Sequence, residues 1–428
     1  MRFKLGKTPA DVDRVLSHLV RNAYQNSSSY RQTLDKAGLS VDGFRQVEDL
    51  QRLPIVDKGT LFHQFPLRDV LHRRADPSRC VRAGTSGSTG LPLYVFMSKG
   101  EAFFRQVLLL FAWRRARRLR LPLTIADVGS CIEAEDTVSL TKGGLVKIVR
   151  ISIAIPAEQQ LQHLMQHRPN ILTGYPTSLR VLAEAIRSKS GRTPFLKLLA
   201  TRGEVLHDET RVFLENAFGC RVSDYYNCEE VGNMAWECPA DASVLHVNTD
   251  ACVLEIVDES GHPAALGVEG RVIVTNLFNC TMPFIRYDLH DRGQILHQGG
   301  TRCACGSRNP SMAVLQGRDD DYVYLPDGRK VSPRLIATTV GRAMVRRSPQ
   351  TRFDLAFRRF QVVQDARDQL TIRIIPEQGE LVDFQPVIAP VLRALYPKMH
   401  CSVELVDSLP VGPSGKFKKV ISNIDVPS

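Results

Sequence analysis

At 428 residues, with 43% hydrophobic and 24% charged side chains, the chain has a globular composition and the length for two domains, or one large and one small. Its 56 basic against 45 acidic residues give +11, which suits anionic ligands such as nucleotides, CoA or an acidic carrier protein without singling out nucleic acid. No apolar run approaches membrane-spanning length, Met1-Arg2-Phe3-Lys4 opens no secretory signal, and ten cysteines lie at irregular spacing. A transmembrane protein and a disulfide scaffold are thereby set aside, and free thiols or metal ligands in a cytoplasmic setting are expected.

Residues 8–37 are expected to be helical, with Val12, Val15, Leu16, Leu19 and Val20 near helix spacing before an Asn26-Ser27-Ser28-Ser29 break. Leu50 to Phe62 is a connector stopped by Pro54, with Lys58 taken as solvated. Next comes Thr85-Ser86-Gly87-Ser88-Thr89-Gly90-Leu91-Pro92. Two glycines three apart allow a tight turn with N–H groups near an anion, and Ser86, Ser88 and Thr89 add hydroxyl donors. Pro92 and the apolar Leu93-Tyr94-Val95-Phe96 start a strand rather than a helix, so the stretch is a hydroxyl-rich phosphate loop between strands and not a Walker loop. Glu101 to Leu119 is a helix ending in Arg114, Arg115, Arg117 and Arg118. Those cations complement the macrodipole, with contact to CoA phosphates, an acidic carrier or anionic lipid as the alternative.

Residues 122–275 alternate strands and helices: strands at 123–128, 170–174, 197–201 and 221–225, helices at 157–167, 177–188 and 208–218, with Thr177 and Ser178 as N-cap candidates. The alternation implies an α/β core whose ligand residues gather at strand carboxyl ends, where Gly174-Tyr175, Gly203-Glu204 and Tyr226 to Glu230 fall. Val253 to Phe278 suggests an antiparallel β subdomain. After Gly317 a small α+β unit of about 110 residues follows, with helices near 333–346 and 382–395 and strands near 355–363, 369–376 and 401–406. The expected division is 1–316, including a β subdomain at about 236–310, and 317–428.

Five stretches in order resemble the phenylacetate–CoA ligase family of the adenylate-forming superfamily: TSGSTGLP, YYNCEEVG, MPFIRYDLHDRG, GRDDDYVYLPDGRKVSP and VGPSGKFKKV. LPIVDK and GYPTSL fit as well, so the likeness covers nearly the whole chain. It implies a large N-terminal domain for ATP and a carboxylic acid, a mobile C-terminal lid domain, and two steps: acyl-AMP formation, then displacement of AMP by CoA. A small, aromatic acid is the expected substrate, with an amine or a carrier-protein thiol as alternative acceptor and a non-catalytic nucleotide-binding scaffold as the rival. A homodimer would be in keeping with the resemblance.

Carried over by position, Ser86, Gly87, Ser88, Thr89 and Gly90 would cradle the β- and γ-phosphates, Tyr226 and Asn227 would lie against the adenine, and Gly203 and Glu204 would line its edge. Glu230 would hold Mg²⁺, Asp291 and Arg318 would bind the ribose, Asp320 would be the hinge, and Lys416 would bridge α-phosphate and carboxylate. Three positions depart from the family pattern: Glu229 for Thr, His290 for Gly and Asn227 for Gly. Asn tolerates a left-handed backbone. Glu229 puts an extra carboxylate near triphosphate, which weakens binding unless an Arg or a second metal pairs with it.

Cys238, His246, Cys303 and Cys305 offer three thiolates and an imidazole, a donor set for a closed tetrahedral, structural zinc site. Some members of the resembled family carry a similar set. Cys228 faces no evident base and is not expected to act as a nucleophile.

Overall fold

The computed structural model describes residues 5–84, 94–116, 119, 121–129, 135–139, 144–188, 193–204, 206, 208–316, 322–331, 333–344, 357–376, 383–410 and 418–424. They fall into two compact units, the first made of Met1–Gly84, Tyr94–Leu119 and Ser223–Gly317, the second of Thr85–Leu93, Arg120–Val222 and Arg318–Ser428.

The first unit is built on antiparallel pairing. Its strands run in the order Cys252–Val257, Gly270–Asn276, Tyr287–His297, Ser311–Gln316, Asp241–Val247, Gly232–Cys238 and Val222–Cys228. Every neighbouring pair is antiparallel, as hairpin connections allow. Gly232–Cys238 is buried at every residue, so it lacks the alternation that marks a half-exposed strand. The N-terminal region forms two helices, Pro9–Asn26 and Ser28–Lys36, broken at Ser27 as the polar run predicts. Thr8 and Asp11 cap the first reciprocally. Tyr30 fastens the second: its hydroxyl donates to Pro283 O at 2.9 Å and accepts from Ile285 N at 3.0 Å. The strands either side of the predicted phosphate loop, Val81–Gly84 and Tyr94–Met97, pair antiparallel. Helix Lys99–Ala116 follows, and its buried Glu101 accepts from Cys280 N, Thr281 N and Thr281 Oγ1.

The second unit carries a parallel sheet ordered Leu198–Arg202, Ile171–Gly174, Leu123–Gly129 and Val146–Ser152, with Glu135–Ser139 antiparallel at the edge. Helices Ala157–His167, Pro176–Ser188 and Asp208–Phe218 supply the crossovers. Leu164, Leu179, Leu182, Leu214 and Phe218 bury their apolar faces against Val128, Val149, Ile151, Leu172 and Leu199. The same unit includes a four-stranded sheet, His400–Leu405, Gln369–Pro376, Phe357–Ala366 and Val420–Ser422, with helices Pro333–Met344 and Gln385–Leu395 around Phe357, Phe360 and Phe384. The mixed α/β class with a small α+β C-terminal portion is the expected one. One local expectation is corrected. The 176–188 helix starts at Pro176, so Thr177 lies inside it and does not cap it. Thr177 N and Oγ1 instead donate to Glu204 Oε2 at 3.1 and 2.7 Å.

Candidate functional site

The motif YYNCEEVG occupies the end of strand Val222–Cys228 and the turn into Gly232–Cys238. Tyr226 Oη donates to Asp291 Oδ2 at 2.7 Å, joining two motifs 65 residues apart. Burial, then the Asp291 charge, holds the phenol well above its ordinary pKa, so it keeps the donated proton. Glu230 is half-buried, and its main-chain oxygen accepts from Asn276 Nδ2 at 2.8 Å. Burial, then the Glu229 charge, pushes the Glu230 carboxyl up, while Lys58 pulls the other way. Lys58 is half-exposed.

The three departures each have a local account. Glu229 Oε2 lies 2.8 Å from Arg105 Nη2, whose helix is Lys99–Ala116. This is the arginine that an extra carboxylate requires. Gly232 makes room for it: φ is +89°, and a Cβ there would stand 2.9 Å from Arg105 Nε. His290 adopts φ +57°, the left-handed backbone that explains a family glycine at this position. His290 N donates to Asp288 Oδ1 at 2.7 Å, and its ring faces Asp57 at 3.5 Å. Asn227 needs no such conformation, since it is absent from the described positive-φ residues. It lies at a register shift, and its Oδ1 accepts from Asn233 Nδ2 at 2.8 Å. The Cys228 sulfur lies 3.5 Å from Met234 Sδ, and burial pushes its thiol pKa up, the reverse of an activated nucleophile.

In the second unit Gly203 follows the carboxyl end of Leu198–Arg202 with φ +76°. A Cβ there would stand 2.9 Å from the Tyr175 ring. Glu204 holds Thr177 as described above, and Tyr322 Oη donates to Thr177 O at 3.1 Å. The Arg202 guanidinium pairs with Asp127 and sits 5.1 Å from the Tyr175 ring centroid. Ser86, Gly87, Ser88, Thr89, Gly90, Arg318, Asp320 and Lys416 lie outside the described residues, as do the side chains of Arg114, Arg115, Arg117 and Arg118.

Cys238, His246, Cys303 and Cys305 converge, with ligand atoms all within 4.8 Å of one another. Strands Gly232–Cys238 and Asp241–Val247 position the first two. The Cys303–Gly306 turn, closed by Gly306 N donating to Cys303 O at 2.8 Å, positions the others. Cys238 Sγ lies 3.6 Å from Cys303 Sγ, and Cys305 Sγ lies 3.2 Å from His246 Nε2. Two thiolates on one tetrahedral zinc stand about 3.8 Å apart, so the donors fit that ion. Burial lowers the His246 pKa, favouring the neutral, ligating imidazole. The same burial raises the Cys238 thiol to about 11, an opposition that a bound cation removes.

Residues 72–280 match the AMP-binding enzyme family. The chain is 28% identical over 326 residues to a phenylacetate–coenzyme A ligase of Thermus thermophilus, covering 72% of this chain and 70% of that protein. A phenylacetate–coenzyme A ligase of Escherichia coli strain K12 is 24% identical over 72% of this chain and 71% of its own. The fold is shared with 2-hydroxyisobutyryl-CoA ligase in complex with 2-HIB-AMP and CoA, at a TM-score of 0.63 and 19% identity over 97% of this chain and 89% of that one. Sequence motifs, fold and likeness together support a phenylacetate–coenzyme A ligase-like, adenylate-forming enzyme.

Proposed function

We propose that this enzyme is an ATP- and Mg²⁺-dependent acid–CoA ligase: a small, aromatic carboxylic acid attacks the α-phosphate to give acyl-AMP and pyrophosphate, and CoA then displaces AMP. The observation that carries this reading is the Tyr226–Asp291 hydrogen bond beside the Glu229-Glu230 turn. It fixes a flat aromatic surface and a ribose-binding carboxylate together, ahead of any nucleotide. Tyr226 supports the adenine and Asp291 accepts from the ribose hydroxyls, assisted by Arg318. Gly203 presents bare backbone to the adenine edge, which a side chain at this φ would disturb.

A carboxylate attacking a phosphate brings two anions together, so fixed donors and cations must offset the repulsion. Ser86, Ser88, Thr89 and the glycines Gly87 and Gly90 donate to the β- and γ-phosphates, and Lys416 draws the acid carboxylate and α-phosphate together. Glu230 would hold Mg²⁺, a hard cation suited to one protein carboxylate beside phosphate oxygens, which neutralises phosphate charge when bound. Arg105 cancels Glu229, so the motif presents one net carboxylate to that cation and not two. Residues 317–428 are the lid, turning at Asp320 so that Lys416 leaves before CoA arrives. Cys238, His246, Cys303 and Cys305 hold a structural zinc.

Exchange of labelled pyrophosphate into ATP, dependent on an added acid, tests the first step. Silence across a broad panel of aromatic and aliphatic acids overturns the proposal. Acyl transfer to CoA, compared with amines and carrier proteins, tests the second.

A further inference from the structure

At the carboxyl end of the parallel sheet in the second unit, three neighbouring strands contribute one polar cluster. Arg202 ends Leu198–Arg202, Tyr175 follows Ile171–Gly174, and Asp127 lies near the end of Leu123–Gly129. The Arg202–Asp127 ion pair spans the end of the middle strand. The guanidinium also lies over the Tyr175 ring, at 5.1 Å. Ahead of these positions the strands are buried through Leu199, Ala200, Thr201, Leu172, Thr173 and Ala126. A charged pair thus lies at the carboxyl end of this sheet, which is where parallel sheets hold their ligands. It is also one residue from Gly203, placed above at the adenine edge.

We infer that the Arg202–Asp127 pair forms part of the acid-binding surface and selects an acid with a second, neutral hydrogen-bonding substituent, such as a hydroxyl or an amide. The side chains remain 19% and 31% exposed. An acid lying against them displaces water from a donor set and an acceptor set. An apolar substituent returns no hydrogen bond to either, and sites built this way reject substrates lacking the polar group. A hydroxyl or amide can accept from Arg202 and donate to Asp127. A second carboxylate would meet the Asp127 charge as well as that of Arg202, so a neutral group is favoured over a second anion. This inference rests on the acid-ligase reading.

The experiment uses the full chain and matched pairs of aryl and alkyl acids differing by one hydroxyl or carboxamide, assayed by pyrophosphate exchange and by calorimetric acid binding. For at least one pair the wild type should prefer the polar member by about tenfold or more in kcat/KM. That ratio should collapse towards one or invert in Arg202→Met/Asp127→Leu, which removes both charges together, and should be partly kept in Arg202→Lys. A purely structural ion pair would lower all activities alike and leave the ratio unchanged, which overturns the inference. So does uniform preference for the unsubstituted acids. If no acid supports exchange, the proposed adenylation fails by itself. The binding arm then decides the selectivity claim, with equal affinity of wild type and double variant for the polar acids counting against it.

Discussion

Two regions of the first unit solve the same problem of crowded anionic donors in different ways. In the Cys238–His246–Cys303–Cys305 cluster the donors face one another, and on the proposed reading a cation brought from outside holds them. At the Glu229-Glu230 turn the protein supplies its own cation, Arg105, from a helix 124 residues earlier in the chain. The first arrangement, with the proposed zinc, would tie folding to metal supply. The second would leave Glu230 available for the proposed metal that arrives with substrate. On the proposed roles, the source of the compensating charge separates a structural from a catalytic use of similar acidic groups.

The largest effect is expected at the cluster. Protein purified without added zinc should carry close to one zinc per chain by elemental analysis. Cys303→Ser should lose it and about 3–5 kcal/mol of stability in denaturant unfolding, as when a buried metal site is broken. Full stability with no metal would erase the contrast from that side. Next, Arg105→Met should lower acid-dependent pyrophosphate exchange about 10- to 100-fold, because Glu229 is left without this guanidinium beside Glu230. Arg105→Met/Glu229→Thr should recover most of that loss. Failure of the double variant to recover would mean that Arg105 acts on something other than the extra carboxylate.

A smaller effect is expected for Asp291→Asn. It keeps the shape but weakens acceptance from the nucleotide and from Tyr226, so KM for ATP should rise about tenfold with little change in folding. An unchanged KM would separate Asp291 from the nucleotide. Gly232→Ala should cost about 1–2 kcal/mol of stability, since a side chain at φ +89° is strained whatever its surroundings. It should also mimic part of the Arg105→Met defect, and normal exchange kinetics would show that the guanidinium reaches Glu229 without needing that space.

Much of the fold was legible because its signals are local. The helices at 157–167 and 208–218 and the strands at 171–174 and 198–202 follow from short-range periodicity and turn residues. Gly232–Cys238 was not. It is buried along its whole length and mixes Asn233 and Glu237 with apolar residues, so no alternation appears; Glu237 is tolerated because it accepts from Asp224 N at 3.0 Å. Val420–Ser422 is three residues long and exists through its parallel pairing with Phe357–Ala366, which no local pattern announces. At the site, motif residues such as Tyr226 and Asp291 could be named from the sequence, and so could the need for an arginine at Glu229. Which arginine could not, because Arg105 sits in an apolar helical stretch and is brought to the turn by tertiary packing alone. The left-handed backbone at His290 had its one signal in the glycine that the family pattern places there, because histidine does not by itself announce that conformation.

The missing methyl at position 232 constrains how such a turn can arise. The second acid beside Glu230 is paired with a guanidinium, and that reach passes over a bare α-carbon. On that footing, a change from threonine to glutamate at 229 is best accommodated where an arginine already stands at 105. On the proposed magnesium role of Glu230, a route introducing the acid first would cross a form with an uncompensated charge beside the metal ligand.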